Sequence, residues 1–150
     1  MKCELLHYCD TSLSAYGSVS YLCAVNAEGK AHCALLLGKS RLAPIRQMTY
    51  TRLELSAAVI AVRMDQMLAC KFTLEIQDSV FWTDSTIVLQ YIYSRSKRFQ
   101  TFVANRLSVI YDGSSPSQRR KVATNKSATS EIKQLKKFLD LRFMLRDRRR

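Results

Sequence analysis

No stretch of this 150-residue chain approaches the roughly 20 consecutive apolar residues that a membrane-spanning helix needs. The N-terminus, MKCELLHYCD, has no long apolar segment followed by a small-residue cleavage site. Neither a leader nor a membrane anchor is therefore expected, and an intracellular location, cytoplasm or nucleus, is. The five cysteines, Cys3, Cys9, Cys23, Cys33 and Cys70, are odd in number and form no Cys-x-x-Cys pair. That argues against a disulfide framework and against a zinc site, and for buried free thiols. No internal repeat is present. Acids are scarce, 12 against 24 Lys and Arg, for a net charge of +12. The imbalance is uneven: residues 1–112 hold 12 basic and 9 acidic side chains, whereas 113–150 hold 12 and 3. Such a balance favours polyanionic partners, because a cation placed on a phosphate releases condensed counterions.

What the chain does have is apolar content, 47% of residues, enough for one domain with a real core. Alternation in ELLHYCD predicts a strand that ends at Asp10, with Leu6, Tyr8 and Asp10 on one face and Leu5, His7 and Cys9 on the other. A second strand is expected over 17–25, a hairpin turn at Asn26–Lys30, and a third strand over 32–39, making an antiparallel meander. Pro44 marks a connecting loop. Over 51–70 the period changes to about 3.6, with Leu53, Ala57, Ile60, Ala61, Met64 and Leu68 in one stripe, which predicts a helix. A fourth strand (78–83), a second helix (85–93) and a third (98–111) follow. A strand reached through a helix pairs in parallel with an earlier one, so the fourth strand is expected beside the first. Asp112-Gly-Ser-Ser-Pro-Ser117 reads as a boundary, dividing a domain at 1–112 from a basic tail at 113–150 with some helical pattern over 130–145.

Three acids stand at the edges of apolar elements: Asp10, Glu54 and Asp84. Each has an ordinary explanation. Asp10 could shape a turn, Glu54 could complete a capping box with Thr51, and Asp84 could cap the second helix. Together they suggest a divalent-metal site, since capping does not require all three to end elements of one sheet-and-helix unit. Ala58 and Ala61, one and two turns beyond Glu54, are expected to leave room beside it. Asp10-Thr-Ser12 only superficially suggests an aspartic protease, because Ser12 replaces the glycine of Asp-Thr-Gly and the motif occurs once. His7 and His32 have no partners at ligand spacing and read as core or surface residues.

HYCDTSLSAYGSVSYL, KSR-x-AP, RLEL, WTDST and FVANR, in this order, closely resemble the ribonuclease H-like region of BEL/Pao-type retrotransposon polyproteins over about residues 3–112. The resemblance implies an α/β ribonuclease H-like fold, a mixed sheet flanked by helices. It further implies Asp10, Glu54 and Asp84 as catalytic, metal-binding acids for two Mg²⁺ or Mn²⁺ ions. The implied reaction is cleavage of the RNA strand of an RNA–DNA hybrid, recognised by shape, sugar hydroxyls and phosphates. Lys39, Arg41, Arg52, Arg119, Arg120 and Lys121 are candidate nucleic-acid contacts. Family members continue into a fifth strand and an Asn-Pro-Ala-Asp-like segment with a fourth acid, for which this chain has no counterpart, so the fifth strand is expected to be missing. The competing readings are a non-catalytic nucleic-acid-binding module and a decayed retroelement fragment.

Overall fold

A computed structural model describes residues 2–12, 14–44, 48–83, 85–94 and 98–121. Strands β1 (Lys2–Thr11), β2 (Ala15–Val25) and β3 (Ala31–Leu42) form the expected meander. The turn between β2 and β3 is fixed by Asn26, whose side-chain oxygen accepts from the Glu28 and Lys30 amides at 3.0 and 2.9 Å. Gly29 supplies the positive φ, 79°, that a side-chain-bearing residue there would adopt only with strain. Helix α1 (Tyr50–Lys71) then returns the chain to β4 (Asp78–Thr83). β4 pairs in parallel with β1, with His7 beside Phe81 and Tyr8 beside Trp82. Helices α2 (Thr86–Tyr93) and α3 (Thr101–Gly113) follow.

The sheet order is β3-β2-β1-β4-β5, and β5 (Arg119–Lys121) corrects the expectation that the fifth strand is missing. It runs parallel to β4, placing Arg119 opposite Phe81. The fold thus extends beyond residue 112, the expected boundary, at least through Lys121. The pattern expected over 130–145 lies outside the described residues.

Two sets of side chains cover the two faces of the sheet. Cys9 and Phe81 pack against Leu55, Ala57, Ala58, Ala61, Val62, Leu107 and Ile110, so α1 lies on that face and α3 packs on α1. Tyr8 and Val19, with Leu6, Tyr21 and Trp82, form a smaller cluster on the other face. Ala57, Ala58 and Ala61 are no more than 1% exposed. Their small size brings α1 close to its neighbours, which corrects the expectation that Ala58 and Ala61 open space beside Glu54. Among the described residues no helix is long and apolar enough to cross a membrane.

The cysteine reading is also corrected. Cys23 and Cys33 sit directly opposite each other on β2 and β3 and form a disulfide. Cys3 and Cys9 are free and buried, and Cys70 is free but exposed.

Candidate active site

Asp10 is the penultimate residue of β1 and is 4% exposed. The turn that follows is built by Ser12. Its hydroxyl accepts from the amides of Ser14 and Ala15, and its own amide donates to the Ala15 carbonyl at 2.7 Å. Helix α1 begins one residue earlier than its apolar pattern suggests. Its N-cap is Thr49, whose hydroxyl accepts from the Arg52 amide, so Glu54 is not part of a capping box with Thr51. Helix α2 is capped by Ser85, which accepts from the Val88 amide at 3.2 Å. Thr49 and Ser85 thus cap α1 and α2, and Ser12 bonds the turn after β1.

Two hydrogen bonds draw the element ends together. The Tyr50 hydroxyl donates to the Thr11 carbonyl at 2.7 Å and holds the first residue of α1 against the end of β1, next to Asp10. The Ser85 hydroxyl donates to the Glu54 carboxylate at 2.5 Å, tying α1 to the start of α2. Since β1 and β4 run parallel, their C-terminal ends, and Ser85 just beyond β4, lie at the same edge of the sheet. Strand alternation puts Asp10 on the Tyr8–Trp82 face, whereas Glu54 reaches this edge from the α1 layer. Asp84 lies between Thr83 and Ser85 in sequence and outside the described residues. Among the described residues no group of three His, Cys, Asp or Glu side chains is close enough to hold a metal ion. The donor chemistry of Asp10 and Glu54 nonetheless fits Mg²⁺ or Mn²⁺: both offer carboxylate oxygens, the hard ligands these ions prefer.

The expected nucleic-acid contacts separate into two groups. Lys39 and Arg41 are exposed on β3, opposite Ser18 and Tyr16. Arg52 is half-buried, donates to the Gln100 side chain at 3.1 Å and lies 4.9 Å from the Phe102 ring centroid. Arg120 and Lys121 are exposed. Arg119 does not belong with them: it is 3% exposed, stacks 4.3 Å from the Phe81 ring centroid and donates to Ser114 at 2.9 Å. Burial pushes its guanidinium below the usual range, partly offset by Cys9, Tyr93 and Asp65. A cation held inside the fold is not presented to a phosphate.

A polar network around His7 was not visible in the sequence. The His7 ring is fully buried; Nδ1 is 2.6 Å from the Ser20 hydroxyl and Nε2 is 3.0 Å from Asp65 Oδ1, which also accepts from Ser79 at 2.5 Å. A carboxylate can only accept, so Nε2 carries the proton toward Asp65. Serine, histidine and aspartate stand in the order of a hydrolytic triad, yet Ser20 is fully buried and out of reach of any substrate.

The model of the Pao retrotransposon-like RNaseH-like domain matches residues 1–85. No curated protein sequence matches significantly. Among solved structures, LC11-RNase H1, isolated from compost by a metagenomic approach, superposes with a TM-score of 0.53 at 12% identity, covering 95% of this chain and 98% of that one. That likeness shows the RNase H fold. The N-terminal RNase H domain of Rv2228c from Mycobacterium tuberculosis gives 0.49 at 11% identity, over 86% of this chain and 92% of that one. RNase H1 from Halobacterium salinarum gives 0.47 at 11%, over 87% and 90%.

Proposed function

The chain belongs to the Pao retrotransposon-like RNaseH-like domain family, and on that premise we propose that it hydrolyses the RNA strand of RNA–DNA hybrids with the help of divalent metal ions. Asp10, Glu54 and Asp84 are the residues that hold the ions in this reading. The single observation that supports it best is the Ser85–Glu54 hydrogen bond. It places a half-buried helical carboxylate beside the residue that follows Asp84, at the sheet edge where β1 delivers Asp10.

Held there by Asp10, Glu54 and Asp84, Mg²⁺ or Mn²⁺ would supply an activated water and charge stabilisation of the leaving oxygen. The chain's part is to hold its acids still. Ser85 restricts the Glu54 rotamer through the hydroxyl proton it donates, and Tyr50 keeps the start of α1 in register with the end of β1. In this reading bound cations would offset the cost of burying Asp10 at the end of its strand. LC11-RNase H1 has been solved with an RNA/DNA hybrid bound; a hybrid is the substrate proposed here.

Incubating the full chain with an RNA–DNA hybrid labelled on the RNA strand, with Mg²⁺ or Mn²⁺, is expected to yield RNA fragments. Asp10→Asn is expected to reduce the rate on the order of 10²-fold or more, the scale of losing one transition-state stabiliser. Intact RNA at high protein concentration, or cleavage undiminished by Asp10→Asn, contradicts the proposal. Binding without cleavage supports the non-catalytic module instead.

A further inference from the structure

On the flank of α1 away from Glu54, three arginines from three elements line one cleft: Arg41 at the end of β3, Arg63 on α1 and Arg106 on α3. The cleft has a volume of about 190 Å³, and Tyr16, Ser56 and Asn105 add neutral polar groups to its wall. No Asp or Glu lines it, and none of the three arginines forms an ion pair among the described residues. At about 100° per residue, Arg63 lies on the opposite side of α1 from Glu54, nine residues earlier. Alternation along β3 puts Arg41 on the α1 face of the sheet, unlike Asp10. Arg106 is half-buried and its guanidinium lies 3.6 Å from the Phe102 ring centroid, which limits where it can swing.

Arg41 and Arg63 are exposed and Arg106 is half-buried, so the cations along this cleft are open to an anion from solvent. The arginine fork matches phosphate oxygens two at a time. We infer that this cleft is a second nucleic-acid site, which grips the phosphodiester backbone independently of the acids at the sheet edge. A backbone suits it better than a lone phosphate, because donors from three elements spread along a groove can engage successive phosphates. The assignment does not require the proposed hydrolysis.

The test is binding of the full chain to a fluorescent RNA–DNA hybrid without divalent metal, across 50–200 mM NaCl. Replacing Arg41, Arg63 and Arg106 by Gln together is expected to weaken binding about 10-fold or more at low salt. It also makes the slope of log K against log salt shallower by roughly 2 to 3, near 0.9 for each phosphate that is no longer neutralised. The Arg→Lys triple variant, which keeps the three charges, retains the slope. A cooperative thermal melt for each variant shows that the fold is kept. An unchanged slope in a folded Gln variant overturns the inference. So does competition by inorganic phosphate as strong as that of unlabelled hybrid at equal phosphate concentration, which would make this a small-anion site. Absence of RNA cleavage overturns the proposed function alone and leaves this result standing.

Discussion

At the scale of single residues, Ser85 has two duties: it caps α2 and it orients Glu54. Ser85→Ala is expected to cost about 1 kcal/mol in urea unfolding from the lost cap. It is also expected to lower metal affinity or hybrid cleavage about 10- to 100-fold, as happens when the group behind a metal ligand is removed. Ser85→Thr keeps a hydroxyl and is expected to restore both. If cleavage by Ser85→Ala equals that of the parent protein, Glu54 is not positioned in the way proposed. The His7 network predicts the opposite pattern. Ser20→Ala is expected to lower stability by roughly 1 kcal/mol, because a buried ring nitrogen loses its partner, while the cleavage rate at a temperature well below the melt stays the same. Loss of activity in a folded Ser20→Ala protein would mean that the network serves chemistry and not packing.

At the scale of elements, the strands and helices that were legible in the sequence are those with a clean period. The β1 alternation, the α1 stripe and the hairpin turn at Asn26 all reappear within a few residues of where they were expected. β5 was illegible because Arg119-Arg-Lys121 carries no apolar or β-branched signature; what makes it a strand is the free edge of β4 and the Phe81 ring under the Arg119 guanidinium. Truncation after Gln118 is accordingly expected to lower the thermal midpoint relative to truncation after Lys121, by several degrees for about 1 kcal/mol in a domain of this size. Equal midpoints would show that β5 adds nothing. The Cys23–Cys33 bond was missed because an odd cysteine count without close pairs argues against disulfides. The signal was present in the turn: counting outward from Asn26 and Lys30 brings Cys23 opposite Cys33. Reduction with dithiothreitol is expected to cost about 2 to 3 kcal/mol in the chain-entropy picture of a short loop, read as a lower urea midpoint that is absent from the Cys23→Ser, Cys33→Ser double variant. Gly113, which reads in the sequence as part of a helix-ending turn, lies so close to Val62 and Gln66 that a Cβ would collide with them, and Gly113→Ala is expected to destabilise by about 1 to 3 kcal/mol.

At the scale of the whole molecule, the parallel pairing of β1 and β4 brings the end of β1, with Asp10, to the edge where Ser85 meets Glu54, while arginines line a cleft on the far flank of α1. The positions of Asp10 and Glu54 at element ends were legible, because each borders an apolar run. The cleft was not, since Arg41, Arg63 and Arg106 are far apart in sequence and share no spacing that announces a common site. The proposed metal site requires Asp10, Glu54 and Asp84 to come close enough to share cations, and thermal unfolding with and without Mn²⁺ tests this most directly. A site that binds only the folded state stabilises it by about 2.7 kcal/mol at 100 times the dissociation constant. The parent protein is therefore expected to melt several degrees higher in saturating Mn²⁺, with the rise abolished in Asp10→Asn and Glu54→Gln. The same rise in those variants, or none in the parent protein, would contradict the claim.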